Sequence, residues 1–182
     1  MNDKVLPNNL IEDNPEESLL KFPKDFYLEA KTYLNKEDIR LIRKAYSFAH
    51  DAHQGQKRKD GTDYISHPTA VAKVLLELGM DAECICAGFM HDVLEDCDIQ
   101  KTNLEKIFNK DIANIVDGVS KLGKIDLEDK AERNANNFQK MALAMANDVR
   151  VIVVKLSDRL HNMRTISHLP RYKQIYICKE TL

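Results

Sequence analysis

Apolar residues recur along most of this chain at helical intervals, and one stretch is apolar on nearly every side. Between Asp81 and Cys97 the sequence reads DAECICAGFMHDVLEDC. Its first part is built from Ala82, Cys84, Ile85, Cys86, Ala87, Phe89 and Met90. His91, Asp92, Glu95 and Asp96 follow within six positions. The length predicts a helix rather than a strand, and a helix apolar all round is a buried one. Carboxylates in such a place are costly unless paired, hydrogen-bonded or bound to metal. On a continuous helix His91 faces Glu95, and Asp92 faces Asp96, each pair one turn apart. A divalent cation held by His91 and Asp92, with Glu95 and Asp96 facing its water, resolves that cost. The plainer reading, a helix end surfacing into solvent, suits Glu95 and Asp96. It suits His91-Asp92 poorly, flanked as they are by Met90 and Val93-Leu94.

The same periodicity sets out the rest. Residues 1 to 22 are polar and acidic, with Pro7 and Pro15, and read as a loosely ordered lead-in. The domain proper is expected over residues 23–182. Lys24 to Leu34 predicts a short helix. Asn35 is an N-cap with Glu37 and Asp38 in the first turn. Ile39, Ile42, Ala45, Tyr46, Ala49 and His53 then form a 3.6-residue stripe, closed by Gly55. A polar loop follows with Lys57, Arg58 and Lys59 before an Asp60-Gly61 turn. Such cations are usually solvated surface charges, but they also suit phosphate clamping or stacking on a base. Ser66-His67-Pro68 opens the next helix, with Val71, Ala72, Val74, Leu75 and Leu76 inward and Gly79 at its end. By itself His67 is more often a core or capping group than a ligand.

After the apolar stretch, Thr102 and Glu105 suggest a capping box for a short helix to about Asn109. Asp111 to Val119 predicts another, weakened by Gly118, and SKLGKID reads as a loop. Leu127 to Asn147 predicts a long helix with a core stripe of Phe138, Met141, Ala142, Met145 and Ala146. Asp148 to Leu156 is β-branched enough to score as a strand. Its unbroken run into SDRLHNMRT makes it a helix here, because propensity is a weak prior. On that helix Asp158, Asn162 and Thr165 form one polar line. Pro170 starts a last segment that runs to Leu182 with no stop signal.

Charge and composition narrow the function. The 182 residues hold 31% charged side chains and a net charge of −2. That is one domain with no overall basic field for nucleic acid. No apolar run is long enough for a membrane span, and the start lacks a signal-peptide pattern. The four cysteines, Cys84, Cys86, Cys97 and Cys178, have neither zinc nor disulfide-framework spacing, so a reducing, cytoplasmic setting is expected. Neither phosphate-binding glycine motif is present, so phosphate chemistry needs a metal and side chains.

His67, His91, Asp92 and Asp158 are then candidate ligands on three helices. Two imidazoles and two carboxylates without thiolate suit Mn²⁺ first, with Mg²⁺, Fe²⁺ or Zn²⁺ behind it. Such an ion activates water and polarises a phosphoryl oxygen, and Glu95 or Asp96 takes the proton. No Ser/His/Asp set or partnered Cys nucleophile competes with this reading.

Arg58-Lys59, YISHP at 64–68, HDVLED at 91–96, VDGVSKL at 116–122 and VKLSDRLHNMRT at 154–165 together resemble the hydrolase domain of the Rel/SpoT family. These are the stringent-response enzymes that make and break guanosine tetra- and pentaphosphate, (p)ppGpp. The resemblance runs from about Asn35 to the end. It implies an all-α HD-type phosphohydrolase bundle. It also implies one Mn²⁺ per site on His67, His91, Asp92 and Asp158, with Glu95 and Asp96 activating water. Arg58, Lys59, Tyr64, Asn162 and Thr165 would contact the nucleotide. The implied reaction removes the 3′-diphosphate of (p)ppGpp, leaving GDP or GTP and pyrophosphate. Longer family members continue into a synthetase domain, so the chain is expected to be the hydrolase part of a longer polypeptide. Asp60 stands where many members have Ser, and Ser157 replaces the common Ala. His161 is typical of the motif and is given a structural role. Two alternatives keep the fold: an HD-type hydrolase of another nucleotide, and a catalytically silent domain that binds the alarmone.

Overall fold

The computed structural model describes residues 22–123 and 147–181. Among these the chain is helical, and its only β pairing is an isolated antiparallel bridge between Lys57 and Asp63. The helices are α1 (Lys24–Ala30), α2 (Lys36–Ala52), α3 (Ser66–Glu77), α4 (Ala82–Met90), α5 (Val93–Asp96), α6 (Lys101–Ile107), α7 (Lys110–Gly123), α8 (Val149–Arg164) and α9 (Arg171–Thr181). A 3-10 turn at Ile166–His168 joins the last two. The long helix expected from Leu127, with its methionine stripe, lies outside the described residues, as does the lead-in before Phe22.

Helix α4 is the hub. Every residue in it except Glu83 is buried, and α2, α3, α7 and α8 pack around it. Ile85, Phe89 and Met90 are fully buried, each contributing about 1.5–3 kcal/mol relative to exposure. Asp81 starts the helix by accepting the Cys84 N–H at 2.8 Å. On one side Phe22, Phe26, Tyr46 and Phe89 form an aromatic cluster, with ring centroids 5.3–6.4 Å apart. On the other, α3 comes close because residue 88 is glycine. A Cβ there would fall 2.5 Å from Leu75 Cδ1 and 3.3 Å from Ala72 Cα. That approach brings the start of α3 beside the end of α4.

Helix α2 begins as its sequence indicates. The Asn35 side chain accepts the N–H groups of Glu37 and Asp38 at 2.8 and 3.0 Å, a cap contributing about 1 kcal/mol. Helix α8 confirms the helical reading of its β-branched run. Val151, Ile152 and Val154 are buried, and the Asp148 side chain caps the helix through the Arg150 N–H at 2.9 Å. Arg150 also reaches Asp81 at 3.0 Å, tying the starts of α4 and α8 together.

Three expectations are corrected. The stretch 81–97 is two helices, because the chain turns at His91-Asp92 before α5. Helix α6 starts at Lys101, where the Gln100 N–H meets the Asn103 side chain at 3.0 Å, so the Thr102–Glu105 pair is not its cap. Ser120 to Gly123 continue α7 instead of forming a loop. Gly118 does not weaken that helix without return: its bare Cα admits Val151, whose Cγ2 would lie 2.8 Å from a Cβ.

Candidate metal centre

His67 is the second residue of α3, His91 and Asp92 form the turn after α4, and Asp158 lies within α8. Far apart in sequence, they converge. The Nε2 atoms of His67 and His91 are 3.2 Å apart. Asp158 Oδ1 is 3.3 Å from His67 Nε2 and 3.8 Å from His91 Nε2. Asp92 Oδ2 is 3.1 Å from His91 Nε2 and 3.6 Å from His67 Nε2. One ligand atom from each of His67, His91 and Asp158 lies within 4.8 Å of the other two. Asp92 joins through its contacts with both rings.

The electrostatics call for a positive charge at this spot. Burial would lower the His91 pKa, but Asp92 and Asp158 overcome it and lift it to about 9. Burial likewise works to raise Asp92 and Asp158, yet the neighbouring histidines hold both well below the ordinary carboxylate range. Two imidazole nitrogens and a carboxylate oxygen gathered at one point are a donor set that a divalent cation would fit. Burial pushes His67 down, which favours the neutral imidazole a metal requires.

The rings are also oriented. His91 Nδ1 lies 2.8 Å from Gly88 O and donates to it, directing Nε2 at the cluster. Asn162 Nδ2 donates to Asp158 Oδ1 at 2.6 Å, and Lys155 pairs with Asp158 Oδ2 at 3.2 Å. His67 Nδ1 faces His161 Nδ1 at 2.8 Å. Burial, with the nearby His67, drives the His161 pKa down to about 4, so that ring is neutral.

Asp96 stands one hydroxyl away. Tyr64 Oη lies 2.7 Å from Asp92 Oδ2 and 2.8 Å from Asp96 Oδ2. Burial and Asp92 push the phenol far above its ordinary value, so it remains a donor. Its ring stacks on His53, centroids 4.4 Å apart. Glu95, exposed on the same short helix, follows the turn that Asp92 O begins by accepting the Glu95 N–H at 3.0 Å.

Beside this cluster opens a cavity of about 290 Å³. Its walls include all five residues expected at a nucleotide: Arg58, Lys59, Tyr64, Asn162 and Thr165. Arg58 Nη2 lies 3.4 Å from Thr165 Oγ1. A side-chain contact with Lys173 on α9 lowers the Lys59 pKa, so the mouth is crowded with cations. Asp60, also on the wall, is held ionised by its hydrogen bonds to Thr62. Its Oδ1 accepts from the Thr62 hydroxyl and N–H at 2.7 and 2.9 Å, within its own turn. His168, Leu169 and Ile177 complete the wall and had no sequence signal.

His161, which the sequence reading gives only a structural role, follows Asp158 by three residues on α8 and shares its face.

Residues 45–182 match the family described as HD domain. The chain is 48% identical over 153 residues to a guanosine-3′,5′-bis(diphosphate) 3′-pyrophosphohydrolase of Vibrio cholerae, covering 84% of the chain and 22% of that protein. It is 47% identical over 152 residues to the bifunctional (p)ppGpp synthase/hydrolase SpoT of Escherichia coli, with 84% and 22% covered. The chain thus spans about a fifth of the length of these curated relatives, 22% in each case. A solved structure, described as a metazoan ortholog of SpoT that hydrolyzes ppGpp and plays a role in starvation responses, superposes with a TM-score of 0.60. It is 24% identical, over 79% of this chain and 80% of the other, and speaks for the fold.

Proposed function

Because the chain belongs to the HD-domain family of SpoT/Rel (p)ppGpp hydrolases, we propose that it is a Mn²⁺-dependent 3′-pyrophosphohydrolase of guanosine tetra- and pentaphosphate. The observation that carries the reading is the adjacency of a two-histidine, two-carboxylate cluster and a cation-lined cavity. One half suits a metal and the other a polyphosphate.

His67, His91, Asp92 and Asp158 hold the ion. When bound, a divalent cation supplies Lewis acidity to a phosphoryl oxygen and lowers the pKa of water. Asp96 or Glu95 takes the proton from the attacking water, and the Tyr64 hydroxyl fixes Asp96 relative to Asp92. The water oxygen bonds to the phosphorus attached to the ribose 3′ oxygen. That phosphorus–oxygen bond breaks, the 3′ oxygen takes up a proton, and pyrophosphate leaves with GDP or GTP. Arg58 and Lys59 hold phosphate and base, Arg58 through a planar fork that also stacks. Asn162 and Thr165 line the same cavity, and Asn162 orients Asp158 as well. Excluding bulk water from the buried half strengthens each of these interactions.

The reading places the domain in the cytoplasm, where guanine nucleotides are found, and joins it to a synthetase domain in the full polypeptide, as in bifunctional SpoT. Among the described residues no helix is long and apolar enough to cross a membrane. The test is pyrophosphate release from a panel of nucleotides with Mn²⁺ present. Preferred turnover of ppGpp or pppGpp supports the reading. Faster turnover of a deoxynucleotide or cyclic nucleotide replaces the substrate, and tight ppGpp binding without cleavage replaces the activity.

A further inference from the structure

We propose that His161 is a positioning residue that sets the tautomer of His67 and so readies its Nε2 for the divalent ion. The inference rests on the metal reading above and adds to it a residue outside the candidate ligand set.

The Nδ1 atoms of the two rings are 2.8 Å apart, with ring centroids 4.9 Å apart. Two imidazole nitrogens at that distance share one proton, so one donates and the other accepts. On its other side His67 Nε2 faces the cluster, 3.2 Å from His91 Nε2 and 3.3 Å from Asp158 Oδ1. A ring that offers Nε2 as a lone pair to a cation keeps its proton on Nδ1. His67 therefore donates from Nδ1, and His161 accepts at Nδ1 while carrying its own proton on Nε2.

His91 reaches the same state by a different route, donating from Nδ1 to the backbone carbonyl of Gly88. Each imidazole thus has its own acceptor: one supplied by the backbone of α4, the other by a side chain of α8. Because His161 follows Asp158 by three residues, one turn of α8 provides both a candidate ligand and the support for a second one carried by α3. The site therefore depends on how α3 and α8 are packed together. A sliding of α8 moves Asp158 and releases the His67 ring in the same motion.

The test compares the protein with its His161→Phe and His161→Gln variants. Mn²⁺ affinity is read from the electron paramagnetic resonance of free Mn²⁺, and melting of the chelator-treated proteins reports folding. Phe fills the ring's space but cannot accept a hydrogen bond, whereas the Gln side-chain oxygen can. Loss of an outer partner of a ligating histidine costs roughly 10–100-fold in affinity. The expected result is a loss of that size in His161→Phe, recovery of most of it in His161→Gln, and little change in metal-free melting. Parent-like Mn²⁺ affinity in His161→Phe, or equal weakness in both variants, overturns the inference. If His161→Phe does not fold, ¹⁵N shifts of the parent loaded with diamagnetic Zn²⁺ decide it. A proton on His67 Nδ1 supports the proposal, and a proton on Nε2 overturns it. A parent protein that binds no Mn²⁺ at all refutes the metal reading itself. A parent that binds Mn²⁺, beside a His161→Phe variant that binds it equally well, refutes this inference alone.

Discussion

The hydroxyl of Tyr64 lies 2.7 Å from Asp92 Oδ2, which ties a residue of the pocket wall to a candidate metal ligand. The same oxygen is 2.8 Å from Asp96 Oδ2, so one phenol orders both carboxylates while its ring stacks on His53. Tyr64→Phe keeps the ring and removes the order. It should lower kcat about 10–100-fold, the usual effect of losing an outer partner, with KM nearly unchanged. Steady-state kinetics on ppGpp check it. An effect confined to KM would make Tyr64 a contact to the nucleotide only.

The ligand and the base are separable. Asp92→Ala should abolish Mn²⁺ binding and turnover together. Glu95→Gln and Asp96→Asn should keep the ion and lose rate, because each removes a base instead of a ligand. Equilibrium dialysis against Mn²⁺, run beside the assay, distinguishes them. Equal metal loss in Asp92→Ala and Glu95→Gln would show Glu95 to be a ligand.

Arg58 should carry substrate affinity. Arg58→Ala removes a charge-assisted contact, which contributes about 1.5–3 kcal/mol, so KM should rise roughly 10–100-fold with Mn²⁺ affinity unchanged. Arg58→Lys should recover little, since an ammonium cannot replace the planar fork. Full recovery by Lys would mean that the contact is a simple charge.

Gly88 holds α3 against α4. Gly88→Ala puts a methyl group against Leu75 and Ala72, and overpacking of this kind costs about 1–3 kcal/mol. The displaced element carries His67, so Mn²⁺ affinity should fall along with the melting temperature. Calorimetry with and without Mn²⁺ checks both effects. An undisturbed melting temperature would mean that the two helices separate freely.

Acid should dissolve the Asp148–Arg150 pairing. Hydrogen bonding to Arg150 holds the Asp148 pKa below its ordinary value. A carboxylate lowered in the folded state adds stability above its unfolded pKa of about 3.9 and loses it as pH falls through the folded value. Asp148→Asn keeps a good capping side chain and removes the charge. The variant should melt below the parent at neutral pH, and the gap should close below about pH 4. A gap independent of pH would assign the effect to geometry instead of charge.

Much of this molecule was legible because burial leaves a period in the sequence. The all-apolar run of α4 announced a central helix, and the polar line on α8 announced Asp158. The turn at His91-Asp92 was not legible: neither Gly nor Pro marks it, and a period does not show where a helix bends. The start of α6 was misplaced because a Thr/Glu pair mimics a cap that Gln100 and Asn103 supply. At Gly118 α7 is closely approached by Val151, a tertiary contact that local sequence cannot reveal. Charge in a loop is usually solvated, so the resemblance decided between two open readings of the loop cations, and it alone pointed to Tyr64. The motif and the period place His161 on the face of Asp158, but its pairing with the His67 ring across two helices shows only in the fold.

The most direct measurement is pyrophosphate release from ppGpp by the protein stripped of metal with a chelator and then titrated with Mn²⁺. The account predicts silence in the stripped protein and turnover that rises with Mn²⁺ to saturation at one ion per chain. Turnover that persists without metal, or none at saturating Mn²⁺, would contradict it.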